Sequence, residues 1–289
     1  MRIATENDAK RRMREIVQKV KRDIDLDHPF QYYGVDDPVA GHLGIEVKEQ
    51  AVSFGDGGMY LPNRTPPEIA IDRTAGNQER LNFTFFHEIS HHLIREDGEL
   101  YGFLHDHSPK DLQPILEQYC NIGAAEFLVP ENDIRQFITE RGFSVELIRE
   151  LDEVFPASKP AIAIQLAQCA SHSCVVVVCE YGIIPRRNQG QIGFEGVGRP
   201  SPPQLFVRYS SGSPTYKYNT GRFIPVSKEH LIMTAYQEQS LIKGRGNIPV
   251  HSGREWPNDC EAMFYKGNVY AVFNITAPLP SNQLPLRFC

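Results

Sequence analysis

The sequence has little that would take it out of water. Nowhere in its 289 residues do apolar side chains run uninterrupted for the ~18–20 positions that a bilayer-spanning helix needs. The first residues, Met1 to Asp8, are charged and lack the apolar stretch of a secretory leader. The chain is therefore expected to be soluble and to stay where it is made, in the cytoplasm. Positive charge is not in excess either. Thirty Lys and Arg face 36 Asp and Glu, for a formal net charge of −6. That balance gives no overall attraction to nucleic acid or to anionic membranes. Paired cysteines are missing too. Six cysteines occur, Cys120, Cys169, Cys174, Cys179, Cys260 and Cys289, and in a long chain without an export signal they read as reduced thiols. The group Cys169, His172, Cys174 and Cys179 has no Cys-x-x-Cys spacing, and Val175 to Val178 inside it reads as a buried strand, so a second zinc site is not indicated. No internal repeat appears at any period.

What remains is an ordinary globular composition, 41% hydrophobic and 23% charged, in a chain long enough for two or three cores. The spacing predicts an amphipathic helix from about Asn7 to Ile24, with Met13, Ile16, Val17, Val20 and Ile24 on one stripe. Short extended segments follow at Gly44–Val47, Ala51–Phe54, Gly58–Leu61 and Glu68–Ile71, with Asp56-Gly57 as a hairpin turn between two of them. Helices are expected over about Gln78–Ile94 and Leu112–Phe127, joined by a polar connection, Arg95 to Lys110, and closed by Pro130. Three short helical pieces follow between Asn132 and Ala170. The last two, Ser144–Val154 and Ser158–Cys169, meet at a tight turn and suggest a helix-turn-helix. Beyond Ser173 the pattern turns to strands at Val175–Val178, Leu205–Tyr209 and Val269–Ile275, with a turn at Lys266-Gly267-Asn268, a loop at Arg186–Gln204 and a helix at Ser227–Gln237.

One stretch carries chemistry. Residues i and i+4 of a helix share a face, about 6 Å apart along the axis. His87 and His91 therefore aim two imidazoles at one point, and Glu88 can reach a water there without binding the metal itself. This is the His-Glu-x-x-His pattern of zinc peptidases. A catalytic zinc wants three protein ligands and one open position. Downstream candidates are His92, His105, His107, Glu117 and Glu126. His92 is roughly 100° further round its helix and cannot share the site. Glu117 lies on the next helix with Asn121 and Ala124 on its face, and Gly123, Ala124 and Ala125 let that helix come close. Glu117 is the preferred third ligand, although on spacing alone it reads equally well as a solvated surface carboxylate.

The run ERLNFTFFHEISH at 79–91, LHD at 104–106 and EQYCNIGAAEFLVP at 117–130 together resemble the ImmA/IrrE family of metallopeptidases, nearest to its IrrE type of radiation- and stress-response regulators. The resemblance implies zinc ligands at His87, His91 and Glu117, with Glu88 as general base. It also implies three domains: a zincin-like peptidase domain over 1–130, a helix-turn-helix-like domain over 131–172, and a GAF-like α+β sensor domain over 173–289. The fold class is thus α+β. One departure stands out. The candidate recognition helix, Lys159–Cys169, carries a single basic residue, whereas DNA reading uses Arg, Lys, Asn or Gln on that helix. Packing or partner docking suits it better than direct DNA contact.

The chain is therefore read as a gluzincin-like endopeptidase using Zn²⁺, or Mn²⁺ in its place. His105 and Asp106 are further candidates for orienting the site. By the resemblance its substrate is a DdrO-like, XRE-type helix-turn-helix repressor, whose cleavage would release DNA-damage-response genes. The rival reading is a non-catalytic transcriptional regulator, binding DNA or protein, with a structural metal closed by a fourth protein ligand.

Overall fold

A computed structural model describes residues 3–25, 30–52, 57–107, 112–185, 202–216, 218, 221–253 and 255–275. The chain divides into two compact units, Met1–Asp133 with Val154–Ser158, and Ile134–Glu153 with Lys159–Cys289. Among the described residues no helix is long and apolar enough to cross a membrane.

The first unit begins with α1 (Glu6–Ile24), capped by a reciprocal pair: Thr5 Oγ accepts from the Asp8 amide, and the Asp8 carboxylate accepts from the Thr5 amide. Its buried stripe, Ala9, Met13, Val17 and Val20, packs on α5 (Leu112–Leu128). A short helix that the sequence reading did not foresee, α2 (Pro38–Leu43), is started by Asp37, whose carboxylate accepts from the Val39 and Ala40 amides. Three strands follow, β1 (Glu46–Glu49), β2 (Gly58–Leu61) and β3 (Glu68–Ile71), in the order β1-β3-β2. The fully buried β3 is central, parallel to β1 and antiparallel to β2, which leaves β2 at the edge. The expected segment Ala51–Phe54 and its turn fall partly outside the described residues.

The helix carrying the histidines, α3 (Gln78–Glu96), lies where the periodicity placed it, with Asn77 as N-cap. The polar connection after it is a helix instead, α4 (Gly98–His107). Asp97 starts it: its carboxylate accepts from the Leu100 amide at 2.8 Å and is gripped by Arg12 at 2.8 and 3.0 Å, while Leu100 and Leu104 turn one face inward. The packing of α5 on α3 depends on Gly123, where any β-carbon would run into Ser90 Oγ and Met13 Cε.

The second unit holds the later part of α6 (Glu131–Arg141), α7 (Leu147–Val154) up to Glu153, α8 (Lys159–Cys169), and a five-stranded antiparallel sheet in the order β5-β4-β8-β7-β6. The strands are β4 (Cys174–Gly182), β5 (Gln204–Gly212), β6 (Leu241–Asn247), β7 (Pro257–Tyr265) and β8 (Asn268–Asn274). Between β5 and β6, α9 (Leu231–Glu238) packs on β6, β7 and β8, whereas α8 packs on β4 and β5. Val175, Val177 and Cys179 join the core under α9, and Val176 and Val178 are buried as well, so β4 is covered on both faces. Lys266 and Gly267, both at positive φ, make the β7–β8 turn. Asp152 of α7 ties that hairpin down: its carboxylate accepts from Tyr265 Oη at 2.9 Å and Lys266 Nζ at 2.7 Å, with Lys159 Nζ at 3.4 Å.

Two tests follow from this packing. Gly123→Ala should cost about 1–3 kcal/mol by overpacking, read as a lower denaturant midpoint, and Ser90→Ala in the same chain should recover part of it. Burial alone would raise the Asp152 carboxyl, but Lys266, Tyr265 and Lys159 more than reverse this and hold it below its ordinary value. A carboxyl depressed in the folded state stabilises fully above its unfolded pKa and loses that contribution as pH falls through the folded one. Asp152→Asn should thus cost roughly 1 kcal/mol at neutral pH. The gap to wild type should close on acidification below about pH 4.

Candidate metal centre

The site is assembled by two helices and one strand. On α3, Leu81, Phe85, Phe86, Ile89, Leu93 and Ile94 are buried and fix the helix in the core. His87 and His91 come off its more open side, with ring centroids 5.0 Å apart. On α5, Glu117 and Asn121 are one turn apart and meet them: Glu117 Oε2 is 2.9 Å from His87 Nε2, and Glu117 Oε1 is 3.6 Å from His91 Nε2. Asn121 Oδ1 lies 3.0 Å from His87 Nδ1, and Gln113 Nε2 donates to Glu117 Oε1 at 2.6 Å.

These contacts test whether a cation belongs here. Asn121 Oδ1 accepts from His87 Nδ1–H, which leaves a lone pair on Nε2 of a neutral ring. That lone pair faces a carboxylate oxygen at 2.9 Å. Two acceptors at such a distance repel unless positive charge sits between them, as a proton on the ring or as a metal ion. Two imidazoles and a carboxylate are a donor set that zinc accepts. His91 is held below its ordinary pKa by burial and by the neighbouring His87, which favours the neutral, metal-binding ring.

Glu88 stands beside the pair, on the wall of the same cleft. Burial is the main cause that raises its carboxyl to about 7; the Glu117 charge adds to this, and a hydrogen bond from the Tyr60 amide opposes it. The cleft measures about 1030 Å³ and runs between β2 and the two helices, with Gly58, Met59, Tyr60, Thr84, Tyr101 and Leu116 on its walls.

The other sequence candidates lie elsewhere. His92 is buried on the β2 side of α3, its Nδ1 2.8 Å from Tyr60 Oη. Glu126 is a buried structural carboxylate that accepts from Gln18 Nε2 and from the Glu131 amide. His105, Asp106 and His107 are exposed on α4 and do not line the cleft; His107 stacks on Phe103. Sequence reasoning missed three contributors. Tyr60 holds Glu88 through its amide and is itself anchored on His92. Gly58 lets β2 pass close to α3, since a β-carbon there would overlap Thr84 and stand 3.1 Å from both Cγ and Oε1 of Glu88. Cys120, wholly buried on α5, lies with one nitrogen of each imidazole in a group whose ligating atoms are all within 4.8 Å of one another. The run Asp56-Gly57-Gly58 signalled a turn but gave no sign that its last glycine would meet a helix.

Residues 40–167 match the family model of the IrrE N-terminal-like domain, Peptidase_M78. The chain is similar to the radiation response metalloprotease IrrE of Deinococcus radiodurans, 26% identical over 236 residues that make up 81% of this chain and 70% of that one. It is also similar to the radiation response metalloprotease IrrE of Deinococcus deserti, 29% identical over 221 residues, 76% of this chain and 74% of the relative. Among solved structures, a Mycobacterium tuberculosis transcriptional regulator shares the fold, with a TM-score of 0.56 at 9% identity over 91% of this chain and 76% of the other.

The strand-to-helix contact can be tested at one residue. Gly58→Ala should force β2 away from Thr84 and Glu88, lowering stability by about 1–3 kcal/mol. Metal retained after dialysis should be unchanged, because Gly58 touches neither imidazole. Denaturant midpoints and metal analysis on the same preparations read both outcomes.

Proposed function

We propose that the chain is a gluzincin-like endopeptidase in which His87, His91 and Glu117 hold Zn²⁺ and Glu88 moves the proton, a reading supported by the match of residues 40–167 to the IrrE N-terminal-like domain model. Mn²⁺ serves in place of zinc in the same reading. The observation that supports it most is the meeting of both imidazole Nε2 atoms with the Glu117 carboxylate, beside the Glu88 carboxylate and in one cleft.

When bound, the metal supplies Lewis acidity that polarises the scissile carbonyl and makes water a nucleophile near neutral pH. The chain's own residues do the rest. Asn121 fixes the His87 ring through Nδ1, so that Nε2 points at the ligand position. Glu88 takes a proton from the attacking water and returns it to the leaving amine nitrogen. The Tyr60 amide holds the Glu88 carboxylate in position for both transfers. As the edge strand of its sheet, β2 borders the cleft and offers main-chain groups to an extended peptide.

In this reading the substrate is an XRE-type, DdrO-like helix-turn-helix repressor in the cytoplasm, and its cleavage derepresses DNA-damage and stress-response genes. Support comes from the similarity to two radiation response metalloproteases. A second support is that α8, the candidate recognition helix, packs on β4 and β5 with Ile162, Ala163, Gln165, Leu166, Ala167 and Cys169 buried. Beyond Lys159 and Pro160, its partly exposed residues, Ala161, Ile164 and Gln168, carry no charge with which to grip a major groove. Control by proteolysis fits it better than control by direct DNA binding.

The test is a gel time course with a purified XRE-type repressor and the chain loaded with zinc or manganese. One dominant cut is expected. Glu88→Gln should slow it by at least about 10²-fold while keeping its metal through dialysis. Glu117→Ala should lose metal and His92→Ala should not. Cleavage by metal-loaded Glu88→Gln at the wild-type rate would remove Glu88 from the mechanism. Tight operator binding with no cleavage under either metal would favour the non-catalytic regulator.

A further inference from the structure

Below the carboxylate that faces the two histidines, the same helix carries a thiol. Cys120 is three residues beyond Glu117 and one before Asn121 on α5, and it is wholly buried, whereas the Glu117 side chain is 42% exposed. Its sulfur, one nitrogen of His87 and one of His91 lie within 4.8 Å of one another. Ligand atoms around a tetrahedral zinc, at about 2.0–2.3 Å from the ion, are roughly 3.5 Å apart. Closing that difference takes about 1 Å of side-chain movement. The other described cysteines, Cys169, Cys174, Cys179 and Cys260, are buried in the second unit.

We propose that Cys120 is an inner ligand of this metal centre, recruited by thiophilic metals and left as a thiol by oxygen-preferring ones. The inference rests on the reading of His87, His91 and Glu117 as metal ligands. Its chemistry is that of donor softness. Thiolate sulfur suits Zn²⁺ and Co²⁺, whereas Mn²⁺ prefers carboxylate and water. On recruitment the sulfur–metal bond forms and the S–H proton passes to solvent; nothing is oxidised. His87, His91, Glu117 and Cys120 then make four protein ligands, the count of a closed site, whereas three leave a position for water. The zinc form therefore rests closed and opens when the sulfur departs and takes back its proton. The manganese form has no such latch. The same two histidines are thus flanked by a carboxylate on the cleft side and a thiol on the core side.

X-ray absorption at the metal edge, on the full chain loaded with one equivalent, reads this without recourse to activity. Zinc-loaded wild type should show one sulfur scatterer at about 2.3 Å, and manganese-loaded wild type none. Cys120→Ser should bind one zinc and lose the sulfur, and Glu117→Gln should keep it. Co²⁺ titration should give a near-ultraviolet thiolate charge-transfer band in wild type that is absent from Cys120→Ser. One zinc per chain in a shell of nitrogen and oxygen alone would overturn the proposal, as would a sulfur that survives in Cys120→Ser. If that variant fails to fold, the comparison of zinc with manganese in wild type still decides. A chain that binds no zinc at all would overturn the metal-centre reading along with this one, whereas zinc bound without sulfur would overturn only the latter.

Discussion

The arrangement depends on how closely α5 can approach α3. Gly123 sets that distance, since Ser90 and Met13 occupy the space a side chain would need. Only because the helices meet there do Glu117 and Asn121, further up the same helix, reach His87. The approach brings the Glu117 carboxylate to 2.9 Å from Nε2 of a ring whose other nitrogen is held by Asn121. Two imidazoles and a carboxylate held this close are preorganised to share a positive charge, as a proton or as a metal ion, and the buried helix faces keep them from relaxing apart.

Much of this could be read from the sequence, and for identifiable reasons. The four-residue spacing of His87 and His91 is fixed by helical geometry, so it needed no tertiary information. The small residues at 123–125 announced a close helix pair, and Glu117 with Asn121 followed from the same periodicity. The place of Glu117 was harder to read, because an exposed helical glutamate looks the same in sequence whether or not a histidine faces it. What the sequence hid was long-range. Tyr60 is 28 positions before Glu88, and nothing local says that its amide will meet that carboxylate. The helix α4 was hidden by composition: its exposed face is polar enough to pass for a loop, and its start depends on Asp97, which Arg12 grips from 85 residues away.

The second unit shows the same division between local and distant information. The turn at Lys266 and Gly267 was legible because Gly-Asn is a turn signal, and both turn residues indeed take positive φ. The fate of α8 was only half legible. Its shortage of basic residues argued against DNA reading, but the positive reason for its composition lies in β4 and β5, on which its apolar residues are buried. A helix built to pack on a sheet needs isoleucine and alanine for the same physical reason that it cannot read bases.

Cys120 illustrates how a packing residue acquires chemistry from its neighbours. At a helix–helix interface a cysteine is ordinarily a small apolar filler. Here the close approach that brings Glu117 to the histidines also brings the residue beneath it to the same two rings. A serine would fill nearly the same volume at the cost of an unpaired hydroxyl, and an alanine would leave a void; neither would offer a soft donor. The constraint that creates the centre therefore also supplies its inner ligand. Metal selectivity and the opening of the site then turn on whether the buried sulfur joins the cleft-side carboxylate on a single pair of imidazoles.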